Sequence, residues 1–291
     1  MDSKRIWLFC ILTVLSLGEQ ASSAVVSRFP WERVPGVRVS DFKPDLIARA
    51  EMLLEEFRSY GKCTDTVAAC LRKDTPSPTA QRLARDVFTL LSKGANRDQA
   101  AKWVEMRMRM ATTPDVRTFK LDSATPLGNR NAPIVFVEFS DFQCPSCVKA
   151  APLLEELVRR SGGKARLYFK QFPLKTHPDS VTLAKACVAS GTLGKFWELC
   201  PRLFEVGVKF SEDRLWDLAR SVGLDPAKLK DEMQRESVLD RITDDKMEGL
   251  KNMISATPSI FINGKELLLP VSLELLQDRL EEELDILAGK V

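Results

Sequence analysis

Residues 133–147 constrain this chain more than any other stretch. An apolar run, Ile134-Val135-Phe136-Val137, broken by Glu138 and resumed at Phe139, leads through Ser140-Asp141-Phe142-Gln143 into Cys144-Pro145-Ser146-Cys147. A run of this kind reads as a buried strand, and a proline directly after Cys144 suits the first turn of a helix, where its missing N–H costs nothing. The junction places Cys144 where free backbone N–H groups and the positive end of the helix dipole favour thiolate over thiol. Cys147, three residues on, lies on the same helix face within reach of Cys144. The pair reads as a redox couple, with Cys144 the nucleophile and Cys147 the resolving thiol. Zinc would need about four ligands, and the chain holds one histidine, His177, and no second C-x-x-C. No metal is expected.

The first residues read as a secretory signal: Lys4-Arg5, an apolar run over 6–17, then Ser22-Ser23-Ala24 with small residues where cleavage is decided. The expectation is a signal peptide over 1–24, cleaved after Ala24, and a soluble, periplasmic or otherwise exported product. As an uncleaved anchor the run is short, about a dozen residues against the roughly 20 that cross a bilayer. Cys10 leaves with the signal, so six of the seven cysteines remain. Beside Cys144 and Cys147 these are Cys63, Cys70, Cys187 and Cys200, structural disulfide candidates for which three pairings are open. A formal charge of +3, with 29% charged and 44% hydrophobic residues, is globular and gives no basic tract for nucleic acid.

Two regions follow the signal. Residues 25–115 read as an all-α module: 44–60 carries Leu46, Ala50, Leu53, Leu54 and Phe57 on one face and stops at Gly61; 79–93 repeats the pattern before Gly94; Asn96 caps a third helix to Met110. Cys63 and Cys70 lie between the first two helices. In one uninterrupted helix they would be two turns, about 10 Å, apart, too far for a disulfide, so Cys63 must stand outside a helix for the two to bond. Cys187 and Cys200 bracket the glycine corner 191–194, where two antiparallel helices can bring them together, although Cys187 also reads as a small core residue.

From 116 the pattern changes to strands at 116–121, 133–140 and 165–172, a helix at 145–160 and a helical stretch at about 176–254. Strands return at 259–263 and 265–269 around Asn263-Gly264, a two-residue hairpin signal, before a helix at 272–287.

This order, with Phe139-Ser-Asp-Phe-Gln-Cys-Pro-Ser-Cys147 near its start and Ala256-Thr-Pro-Ser-Ile-Phe-Ile-Asn-Gly264 near its end, resembles the DsbA-like thiol-disulfide oxidoreductases of the thioredoxin superfamily. Phe169-Lys-Gln-Phe-Pro-Leu174, His177-Pro178 and Gly194-Lys-Phe-Trp197 extend the likeness over 116–291. It implies an α/β thioredoxin-like fold with a helical insertion, here preceded by the all-α module. It further implies a cis bond at Thr257-Pro258 facing Cys144, leaving Thr257 to pair with an extended substrate segment. Glu138, an acid at a buried strand position, would lie beneath the disulfide with Lys170, the two tuning Cys147 and relaying its proton. Ser146 departs from the histidine that many such oxidases carry, so the thiolate would have only a hydroxyl beside it. His177 is expected to order its loop.

The function implied is exchange with cysteine-containing exported proteins, most simply as an oxidase, with a membrane-bound protein to recycle the enzyme and no cofactor. A disulfide isomerase or thiol reductase, its helical module serving as a homodimer interface or client surface, is the nearest alternative. A non-enzymatic chaperone with a structural disulfide is an alternative of another class.

Overall fold

Extended Lys43 followed by Pro44 at the first helical position starts the first α-helix among the described residues of the computed structural model, which describes residues 29–122 and 124–291. The segment read as a signal, its cleavage after Ala24, and Cys10 lie outside the described residues. Among these residues no helix is long and apolar enough to cross a membrane.

Among the described residues four α-helices form the first region: α1 (Pro44–Glu56), α2 (Val67–Arg72), α3 (Pro78–Ser92) and α4 (Arg97–Thr112). Their N-termini are capped by side chains where the sequence supplies them. The Thr66 hydroxyl accepts from Ala69 N, Ser77 accepts from Ala80 N, and Asn96 and Gln99 satisfy each other's backbone in a capping box. Leu53, Leu54, Val67, Leu71, Leu83, Val87 and Phe88 fill the core between them. The expected first helix ran to Tyr60, but α1 ends at Glu56. Phe57 is extended, and the chain turns back so that Val67 N donates to Phe57 O and Ser59 N to Asp65 O. This return puts Cys63 outside any helix and bonds it to Cys70 on α2, with Cα atoms 5.9 Å apart.

The second region is built on a five-stranded sheet in the order β1-β3-β2-β4-β5: β1 (Leu127–Gly128), β2 (Ile134–Ser140), β3 (Ala165–Gln171), β4 (Ser259–Ile262) and β5 (Lys265–Glu266). β2 and β3 run parallel, linked by α5 (Pro145–Arg160), and every other neighbouring pair is antiparallel. The helices α6 (Ser180–Thr192), α7 (Phe196–Leu199), α8 (Leu203–Gly207), α9 (Glu212–Ser221), α10 (Pro226–Met233) and α11 (Glu236–Lys251) intervene between β3 and β4. Cys187 of α6 is bonded to Cys200 after α7, with Cα atoms 4.8 Å apart. Asn263 and Gly264, both at positive φ, turn β4 into β5, and α12 (Leu273–Leu287) closes the chain behind a Ser272 cap.

The expected strand at 116–121 does not form. Its backbone groups are taken by other partners: Lys120 N donates to the Glu248 carboxylate, Lys120 O accepts from Lys170 Nζ, and only Arg117 N reaches the hairpin, at Gly264 O. The edge beside β3 is held by Leu127–Gly128 instead.

Strand register divides the side chains. Ile134, Phe136, Glu138 and Ser140 share a face with their β3 partners Ala165, Leu167, Phe169 and Gln171. That face is covered by α5, α12 and the inserted helices. Val137, Phe139, Tyr168 and Lys170 take the other face with Phe261, Phe119 and α11.

α12 joins the two regions. One side packs Leu276 and Leu280 on the sheet. The other meets the helical module through buried charge: Arg107 of α4 reaches Asp278 at 2.5 Å and Glu282 at 3.1 Å, Tyr60 donates to Glu282, and Arg82 and Arg85 pair with Asp278. Arg107 and Glu282 are both 0% exposed.

Candidate active site

Asp141 shapes the turn between β2 and α5. Its Oδ1 accepts from Gln143 N at 2.8 Å and its carbonyl from Cys144 N at 3.1 Å, so the chain reverses in a side-chain-braced turn. Its Oδ2 accepts from Leu174 N at 2.7 Å and from the Ser180 hydroxyl at 2.6 Å, with His177 Nδ1 at 3.0 Å. His177 thus sits against the Asp141 carboxylate in the loop between β3 and α6. Gln143 clasps the same region, donating to Asp179 and to Gly207 O. Gly207 lies so close that a Cβ there would sit 2.1 Å from Phe142 O. The insertion thus clamps the turn that presents the cysteines.

Cys144 is the N-cap of α5, with Pro145 at the first helical position and Pro145 and Ser146 both exposed. Its Sγ donates to Thr257 O at 3.3 Å, and the Thr257-Pro258 bond is cis. Both thiols are free, Cys144 7% exposed and Cys147 0%. Burial pushes the Cys147 thiol up. Ser140, the Asp141 backbone and the Thr257 hydroxyl oppose this, and the charge of Glu138 adds to it.

Glu138 is fully buried on the cysteine face, and neither carboxyl oxygen has a hydrogen-bond partner. Burial raises its pKa to about 8; the Ser140 hydroxyl opposes the rise and the charge of Glu155 adds to it. Ser140 acts on both Glu138 and Cys147, although its hydroxyl makes no hydrogen bond of normal length with either. The arrangement is a nearly covered cysteine at a helix N-terminus, a fully buried partner cysteine, and a buried carboxyl whose pKa is raised, suited to dithiol-disulfide exchange.

Lys170 does not lie with Glu138 beneath the disulfide, as the resemblance implies: Glu138 is in register with Phe169, and Lys170, one residue on, points to the opposite face. There its ammonium is 3.0 Å from Asp245 and 2.9 Å from Glu248. It cannot share a proton path with Glu138.

Ser140, Asp141, Gln143 and Gly207 were not read from the sequence as part of the site. Asp141 and Gln143, directly after a strand, carry the signature of a side-chain-braced turn and were accessible to that reasoning. Gly207 had no local signal, because the backbone it accommodates is 65 residues away in sequence.

A family model described as thioredoxin matches residues 121–282. A thioredoxin-like oxidoreductase from Silicibacter pomeroyi DSS-3 superposes with a TM-score of 0.51 at 27% identity, covering 56% of this chain and 92% of that one. The thiol-disulfide exchange protein alpha-DsbA2 from Wolbachia pipientis gives 0.51 at 18% identity, covering 65% and 99%, and bears on the fold alone. Among curated proteins, the Na(+)/H(+) antiporter NhaA 1 of Mycolicibacterium vanbaalenii is 32% identical over 140 residues, 47% of this chain but 23% of the antiporter. The chain spans less than a quarter of the length of such relatives. The sheet order, the inserted helices and the family match agree with the DsbA-like resemblance carried by the motifs. With more than half of its length matched, the chain belongs to the thioredoxin family.

Proposed function

We propose that this chain is an exported thiol-disulfide oxidoreductase that works in the oxidative direction, handing a Cys144–Cys147 disulfide to cysteine-containing proteins of the periplasm. The observation that carries the reading is Cys144 at the helix N-terminus beside Thr257 O, with Cys147 buried near a neutral carboxyl.

A substrate thiolate attacks Cys144 Sγ; the mixed disulfide forms as the Cys144–Cys147 bond breaks, and the electron pair leaves on Cys147. Glu138, protonated below pH about 8, supplies the proton to that thiolate. A second substrate thiolate then attacks the substrate sulfur, the product disulfide departs, and Cys144 leaves as thiolate. Two electrons pass to the enzyme, so a membrane-bound redox protein must take them up again. The Thr257 backbone, ahead of Pro258, is the edge on which an extended substrate segment adds as a strand, and exposed Pro145 and Ser146 face that segment. Export fits the two other disulfides, which an oxidising compartment preserves. The charged faces of α3 and α4 are engaged with α12, which leaves less of the module for a homodimer.

The test is the reduction potential of Cys144–Cys147 in glutathione buffers, with mass spectrometry following the other four cysteines. A value near about −120 mV supports disulfide donation, and one near about −270 mV would make the chain a reductase. A pair that resists reduction would make it a binding module with a structural bridge.

A further inference from the structure

A carboxyl that donates a proton in every cycle must recover one, and Glu138 has no exposed surface of its own. Two cavities bear on this. A small one of about 10 Å³, close to the room one water needs, is lined by Glu138, Glu155, Phe169, Trp197 and Phe204. A larger, open groove of about 570 Å³ runs between α5 and α8. Glu155, Pro201 and Phe204 line both, and of these three only Glu155 can carry a proton.

We infer that Glu155 is the outer station of a proton path, passing protons between buried Glu138 and the open groove between α5 and α8. The inference rests on the exchange function proposed above. When Cys147 leaves as thiolate, the proton moves from Glu138 Oε to Cys147 Sγ. The Glu138 carboxylate takes a proton from Glu155 across the small cavity, and Glu155 is reprotonated from the groove. The path runs in reverse when Cys147 attacks. No electron leaves the sulfur atoms in these steps.

The surrounding charges suit a group that both holds and releases a proton. Burial raises Glu155, and Arg159, 3.2 Å away one helical turn on, opposes the rise. Glu155 also raises Glu138, so ionising one carboxyl disfavours ionising the other. Glu156 and Arg160 of α5 and Arg202 and Glu205 across the groove complete the charged lining. From β3 the neighbours are Leu167 and Phe169, without charge, because Lys170 faces away.

The test is a single-turnover reduction of the Cys144–Cys147 disulfide by glutathione from pH 5 to 9, acid-quenched and read by mass spectrometry, on the whole chain and on Glu155→Gln, Glu155→Asp and Glu138→Gln. The expected result is a slowing of about tenfold or more in Glu155→Gln at neutral pH. Small buffer acids such as imidazole should partly restore it through the groove, Glu155→Asp should keep part of the rate, and Cys144 alkylation in the reduced protein should be unchanged. A wild-type rate and pH profile in Glu155→Gln, with Glu138→Gln slowed, overturns the path and leaves the exchange function standing. Slowing that no buffer relieves and that comes with altered Cys144 alkylation overturns it as well, since that marks a structural role. If the wild-type disulfide is not reduced at all, the function and the path fall together.

Discussion

Glu138 and Lys170 lie on neighbouring, hydrogen-bonded strands yet face opposite sides of the sheet, because the residue in register with Glu138 is Phe169. Lys170 pairs with Asp245 and Glu248 on the α11 side, where Arg241 also reaches Asp245, and is 3% exposed. Lys170→Met should therefore destabilise the fold by about 1–3 kcal/mol, the cost of removing charge-assisted hydrogen bonds from a buried cluster. It should leave the pH profile of disulfide exchange unchanged. Urea unfolding and single-turnover exchange check the two halves, and a changed profile in a folded variant would return Lys170 to the site.

Glu138 makes stability depend on pH. Its folded pKa, about 8, lies above the ordinary carboxyl value of 4.5. Below the ordinary value both folded and unfolded states are protonated, and the full stability is present. As pH rises the unfolded chain ionises first, and stability is lost until pH passes the folded value. For the reduced protein this group should remove on the order of 3 kcal/mol between pH 5 and pH 8. Glu138→Gln should lack that loss and be the more stable protein at pH 8. Equal pH slopes in urea denaturation of the two proteins would contradict the burial argument.

Arg107 is buried against Asp278 and Glu282, so Arg107→Ala removes a fully buried cation from a network in which Asp278 keeps Arg82 and Arg85 and Glu282 keeps Arg279. A loss of about 2–3 kcal/mol is expected from the charge-assisted hydrogen bonds removed. Because α12 also packs Leu276 and Leu280 on the sheet, the module and the sheet should lose stability together. Thermal unfolding followed at Trp31 in the module and Trp197 in the insertion tests this through single-tryptophan variants. A shift at Trp31 alone would show the module to be an independent domain.

Gly207→Ala would place a methyl carbon 2.1 Å from Phe142 O, at backbone that cannot yield without moving the cysteine turn. The expected cost is about 1–3 kcal/mol, accompanied by altered Cys144 alkylation kinetics. Wild-type stability and kinetics would mean that α8 does not brace the turn.

Features written in short stretches of chain were legible before the fold was known. The strand leading into Cys144, the Asn263-Gly264 hairpin and the Asn96 cap depend on neighbours a few residues away. Features set by distant partners were not. A periodic pattern cannot show that 116–121 spends its backbone on Glu248 and Lys170 rather than on a ladder. One residue of register decided the face of Lys170, and that register is a property of two strands, not one. Nothing local marks Arg107 and Glu282 as buried, because the two lie 175 residues apart. Glu155, eight residues beyond Cys147, looks like any surface acid until the α8 side of the groove is in place.

The division of labour between Cys144 and Cys147 is most directly tested by trapping. Reduced Cys147→Ser and Cys144→Ser proteins are exposed to oxidised glutathione or a disulfide-bonded substrate, and the adducts are mapped by mass spectrometry. A persistent mixed disulfide at Cys144 in Cys147→Ser, and little or none at Cys147 in Cys144→Ser, is the predicted result, given 7% exposure for Cys144 and none for Cys147. Equal adducts at both positions, or none at Cys144, would contradict it.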